Sequence, residues 1–115
     1  MQQVFVYGTL KQGGQLHRAL EESEFIGEAV TDPEFTMINL GWYPGVLHVG
    51  ETKIHGEVFN IDDDTLKALD RIEGYPSLYD RKFVNTSLGE AIMYIYNKDN
   101  VRDNVPTIPS GVWSI

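Results

Sequence analysis

The sequence has no cysteine among its 115 residues, which excludes disulfides, thiolate nucleophiles and Cys-ligated metals. It also lacks a long apolar run; no window approaches the roughly 18 residues that a membrane-spanning helix requires. Its first ten residues, MQQVFVYGTL, show no basic start, apolar stretch or cleavage site of a secretory signal, so a cytoplasmic location is the default expectation. Bases are scarce, nine against seventeen acids, for a formal net charge of −8. They are scattered and form no basic stripe, so neither nucleic acid nor an anionic membrane is expected as a partner. His17, His48 and His55 have no partner at i+2 or i+4, and no metal site or cofactor is expected. No serine sits in a nucleophile-elbow pattern.

What is present suits a globular chain: 42% hydrophobic and 23% charged residues, with a length that buries about two-thirds of the unfolded surface. One domain spanning residues 1–115 is expected. Val4-Phe5-Val6-Tyr7 reads as a strand apolar on both faces, ended by Gly8. A glycine-bearing loop to Gly14 and a brief helix at about 15–22 follow. Further strands are predicted at 25–30, 35–38, 46–49 and 53–61, the last two pairing as a hairpin across Gly50. Asp62 to Asp64 cap a helix that runs to Ile72 or Glu73 and stops at Gly74. Strands at 79–87 and 90–97 join at Leu88-Gly89, and residues 91–96, apolar on both sides, belong at the centre. The tail from Val105 to Ile115 reads as irregular but anchored. The fold class is α+β: a small mixed, mainly antiparallel β-barrel of six or seven strands with two short flanking helices.

Two features could carry chemistry. At about 100° per residue, setting Leu66 at zero places Leu69 near 300° and Glu73 near 340°. Glu73 therefore shares the apolar stripe of its helix. A carboxyl drawn towards the interior loses water, which disfavours its charged form and raises its pKa. The helix dipole adds only ~0.3–1 kcal/mol in the same direction, so desolvation must dominate if Glu73 is poised as a general base. The competing reading is a frayed last turn that swings Glu73 into solvent or onto Arg71 or Arg81. The second feature is Tyr7-Gly8-Thr9-Leu10, a strand end whose glycine allows close backbone approach and whose N–H groups could cradle negative oxygen. Alone, it reads first as an ordinary turn, since strand-end glycines usually are, and it matches neither a Walker loop nor a dinucleotide fingerprint.

VFVYGTLKQGG at 4–14 and LDRIEGYPSLYDR at 69–81 together resemble the γ-glutamylcyclotransferase-like superfamily, nearest its short γ-glutamylamine cyclotransferase and AIG2-like members. GWYPGV at 41–46, HGEVFNI at 55–61, the strand with Tyr94 and Tyr96, and SGVW at 110–113 fall in family order. The resemblance implies a small barrel with a pocket at its mouth and backbone N–H contacts from Tyr7, Gly8, Thr9 and Leu10 to a γ-glutamyl group. It also implies that Glu73 is the catalytic acid/base and that Tyr43 and Tyr79 contact substrate. YGTL stands where the longer glutathione-directed members are similar to YGSN, which with the short length points away from γ-glutamyl dipeptides or glutathione; the substrate implied is another small-molecule γ-glutamyl amide. The implied reaction releases 5-oxoproline and a free amine. A non-catalytic binding module on the same scaffold, and a cyclotransferase for a specialised biosynthetic γ-glutamyl intermediate, are the alternatives.

Overall fold

Val4, Phe5 and Val6 are apolar at successive positions, so their strand needs cover on both faces. In the computed structural model, which describes residues 1–115, all three are buried. They end β1 (Gln2–Val6), which is followed by β2 (Glu24–Val30), β3 (Phe35–Asn39), β4 (Pro44–Thr52) and β5 (His55–Ile61). The helix α1 (Asp63–Glu73) then precedes β6 (Tyr79–Thr86) and β7 (Gly89–Tyr96). Five strands form one sheet in the order β2-β5-β1-β7-β6, and β3 and β4 form a separate pair. Only β1 and β7 run parallel, with Val4 opposite Ile92 and Phe5 opposite Met93. Every other pairing is antiparallel.

Side chains alternate across a strand, and β1 sends them to two cores. Val4 and Val6 join Phe59, Ile61, Leu66, Leu69 and Ile92 beneath α1. Phe5 and Tyr7 join Met37, Val46, Val58 and Met93 on the side of the β3–β4 pair. Residues 91–96 are all buried, as a central strand requires. The helix is specified at both ends. Asp62 Oδ1 accepts the Thr65 N–H at 2.7 Å, while Gly74 takes a left-handed conformation (φ 63°, ψ 36°) that lets Tyr75 N–H close onto Asp70 O. Its buried Leu66 and Leu69 each contribute about 1.5–3 kcal/mol by leaving water. The tail is irregular and anchored: Ile108 N–H bonds Met37 O at 2.8 Å, and His55 N–H bonds Gly111 O at 2.9 Å.

The α+β class with mainly antiparallel strands agrees with the sequence reading, but three details differ. The expected barrel is not closed by a continuous strand ladder. The edge strands β2 and β6 meet only at one bridge, Thr31 to Thr86, supported by Ser87 N–H to Val30 O. A register shift between Phe25 and Gly27 in β2 accompanies the open edge. The expected hairpin of residues 46–49 with 53–61 also does not form. Instead β5 lies inside the five-stranded sheet, paired with β1 along one edge and β2 along the other, while Val58 and Phe59, on its opposite faces, are both buried. Meanwhile β4 pairs with β3, Met37 opposite Val46. The first helix shrinks to a single 3-10 turn, His17–Leu20, because the preceding loop folds back on itself through Leu16 N–H to Thr9 O at 2.9 Å.

Candidate active site

Glycine governs the loop after β1. A Cβ on Gly8 would lie 2.8 Å from Pro44 Cγ and 2.9 Å from Pro44 Cδ, so only glycine lets this loop rest against the start of β4. Lys11 N–H bonds Gly8 O at 3.1 Å. The N–H groups of Gly8, Thr9 and Leu10 find no acceptor in the protein. All three residues line a cavity of about 250 Å³. These are backbone donors held in reserve, a condition rare away from water or ligands.

Across the cavity, the last turn of α1 presents Glu73. It is the only charged side chain in the lining. The two ion pairs of the protein join Arg81 to Asp70 at 3.4 Å and His48 to Glu34 at 3.2 Å. Arg81 is therefore taken, and Glu73 neither swings out to it nor reaches another cation. Half-buried and without a counter-charge, its carboxyl is pushed up from the ordinary 4.5 to about 7, with burial as the cause. The helical projection located this group because α1 keeps its regular period through its final turn.

Three tyrosines frame the space between these features. The Tyr7 hydroxyl donates to Tyr94 O at 2.8 Å, and the Tyr79 hydroxyl donates to Pro44 O at 2.8 Å. The Tyr94 hydroxyl donates to Asp70 Oδ1 at 2.7 Å. All three have pKa values raised chiefly by burial, with the charge of Glu73 as a smaller contribution. Glu73 thus lies electrostatically close to each hydroxyl. Tyr79 also sets the position of β4 by holding the Pro44 carbonyl, whose ring packs on Gly8.

The structure brings Tyr7, Gly8, Thr9, Leu10, Tyr43, Glu73 and Tyr79 into one lining. It adds residues the sequence reading did not single out for the site: Gln15, Leu16, Trp42, Ile72, Leu78 and Tyr94. Gln15 and Leu16 were obscured by the expected longer helix. Tyr94 carried a signal in its place on the central strand, which reads first as packing. With three hydroxyls already donating, the polar side chains of the lining that have no partner in the protein are those of Thr9, Gln15, Trp42, Tyr43 and Glu73. No group of three or more His, Asp or Glu residues is placed to hold a metal ion, and no helix is long and apolar enough to cross a membrane.

The family model described as Gamma-glutamyl cyclotransferase, AIG2-like matches residues 4–115. A Vibrio cholerae serotype O1 protein provisionally named gamma-glutamylcyclotransferase is 40% identical over 110 residues, covering 96% of this chain and 93% of its own. The gamma-glutamylcyclotransferase family protein YtfP of Escherichia coli K12 is 33% identical over 110 residues, 96% of this chain and 94% of its own. The solution structure of ytfP from Escherichia coli superposes with a TM-score of 0.74 over 96% of this chain and 95% of that one. An AIG2-like protein from Mus musculus, 24% identical, shares the fold with a TM-score of 0.80 over 96% of this chain and 87% of that one. The chain belongs to the AIG2-like gamma-glutamyl cyclotransferase family of enzymes.

Proposed function

We propose that this protein cleaves γ-glutamyl amides by attack of the substrate's own α-amine on its γ-carbonyl, releasing 5-oxoproline and a free amine. One observation carries the reading: an unpaired carboxyl, Glu73, shares a cavity with the unengaged N–H groups of Gly8, Thr9 and Leu10. The cavity of about 250 Å³ has room for about eight waters at ~30 Å³ each.

The nucleophile is tethered to its target. Well-oriented intramolecular attack is worth up to ~7–11 kcal/mol, and the protein supplies it by holding the glutamyl chain bent. An α-amine with a pKa near 8 is mostly ammonium at neutral pH, so a proton must leave before nitrogen can attack. Glu73 takes that proton. The new bond joins the α-nitrogen to the γ-carbon, and the carbonyl oxygen becomes an oxyanion facing the loop N–H donors, typically worth ~2.7–4 kcal/mol each. Collapse breaks the bond to the leaving nitrogen, which receives the first proton from Glu73. The attacking nitrogen, still carrying two hydrogens, then gives up its second proton through the Glu73 carboxylate to the departing amine, which leaves as an ammonium. Atoms balance without water, thiolate or metal. A carboxyl that titrates near 7 is matched to both halves of this exchange.

Incubating the purified protein with a panel of γ-glutamyl amides, γ-glutamyl-ε-lysine among them, and detecting products by mass spectrometry tests the reading. One 5-oxoproline should appear for each free amine. Free glutamate in its place would mean hydrolysis by water and contradict internal attack.

A further inference from the structure

If the glutamyl end of the substrate occupies the space between Glu73 and Gly8–Leu10, as proposed above, the substituent on the departing nitrogen must point to the opening. That opening is mostly apolar, with Gln15 its exposed amide. Leu16, Trp42, Tyr43 and Ile72 line it with relative exposures of 43%, 82%, 37% and 41%, and they come from three separate segments of the chain. Large apolar side chains gathered at a cavity mouth mark a ligand subsite more often than chance exposure.

The backbone turn that presents Trp42 is fixed by hydrogen bonds. Leu40 N–H bonds Tyr43 O at 3.0 Å, and Gly41 N–H bonds Asn39 Oδ1 at 2.8 Å. Gly41 itself takes a φ of 102° that a residue with a Cβ rarely adopts. The turn is tight, and the indole stands at its tip. Charge narrows the occupant further. No Lys, Arg or His lines the cavity, and the loop's own cation, Lys11, is turned away to the Trp113 carbonyl at 2.6 Å. A leaving group bearing a carboxylate would meet no counter-ion and a protein of net charge −8. A second ammonium would find no carboxylate other than Glu73, which the reacting amine already engages.

We infer that the Leu16–Trp42–Tyr43–Ile72 mouth selects γ-glutamyl amides whose leaving amine carries a neutral apolar body, aromatic or branched aliphatic. The inference rests on the proposed reaction and specifies its substrate class. Kinetics on γ-glutamyl-benzylamide, -isobutylamide, -methylamide, -putrescine and -glycine test it. The benzyl and isobutyl amides should exceed the methylamide in kcat/KM by about tenfold or more, the gain from taking about two methylene groups out of water. The putrescine and glycine conjugates should fall below them. Trp42→Ala should shrink the benzyl-to-methyl ratio several-fold, and Trp42→Phe should restore most of it. The exposed site makes loss of folding unexpected. Equal turnover across the panel, or preference for the charged conjugates, would overturn the selectivity while leaving the cyclisation intact. A ratio unmoved by Trp42→Ala would overturn the subsite. Absence of 5-oxoproline from every member would overturn both.

Discussion

Glu73→Gln is expected to lower kcat about 10²–10⁴-fold, the range a positioned acid/base supplies, while making the protein more stable at pH 8. Both effects come from one cause. In the folded protein the carboxyl titrates at about 7, and its ordinary value is 4.5. Below pH 4.5 it is protonated in folded and unfolded chains alike, and burial carries no ionic cost. Between 4.5 and 7 the folded form keeps a proton that the unfolded form has released, so stability falls as pH rises. Above 7 the full cost is present, roughly 3 kcal/mol. Glutamine has no charge to desolvate and lacks this penalty. Urea unfolding should show the variant ahead of the wild type by about 2–3 kcal/mol at pH 8 and level with it near pH 4. The ascending limb of kcat/KM that Glu73 sets should disappear in the variant. Undiminished turnover, or a variant less stable at pH 8, would oppose the role.

Gly8→Ala is expected to lower kcat/KM by at least 10²-fold with the fold retained. The added methyl meets the ring carbons of Pro44 at 2.8 and 2.9 Å, and a proline ring has little freedom to yield. Either the loop lifts away, or Pro44 moves and disturbs the carbonyl that accepts the Tyr79 hydroxyl at 2.8 Å. In both cases the Gly8, Thr9 and Leu10 donors shift from the oxyanion position, and one lost donor is typically worth ~2.7–4 kcal/mol at the transition state. The main core is not touched, so circular dichroism should be unchanged. Product assays at saturating and limiting amide would separate weaker binding from slower chemistry. An active Gly8→Ala protein would assign the loop a purely structural turn.

Asp62 and Gly74 announced α1 because caps are local chemistry, and Glu73 was legible because a regular helix projects its stripe predictably. The β6–β7 hairpin at Leu88-Gly89 was readable for the same reason, with the register running from Tyr79–Tyr96 to Thr86–Gly89. The partner of β4 was not legible. Neighbours in sequence suggest local pairing, but both edges of β5 are taken by β1 and β2, strands that lie well before it in the chain. Barrel closure failed for a related reason, since it depends on how two strands distant in sequence meet at Thr31 and Thr86. The cavity mouth was invisible because Leu16, Trp42 and Ile72 converge only through tertiary structure. Nor could sequence show that the hydroxyls of Tyr7 and Tyr79 would be engaged by main-chain carbonyls.

The most direct test is the ionisation of Glu73 in the folded, ligand-free protein, followed through the ¹³C chemical shift of its side-chain carboxyl and assigned by its absence from the Glu73→Gln spectrum. A midpoint near pH 7 is expected for an unpaired acid enclosed by α1, Tyr79 and the Gly8 loop. A midpoint near 4.5 would mean a hydrated carboxylate, and the proton transfer at the centre of the proposed reaction would have no suitable carrier.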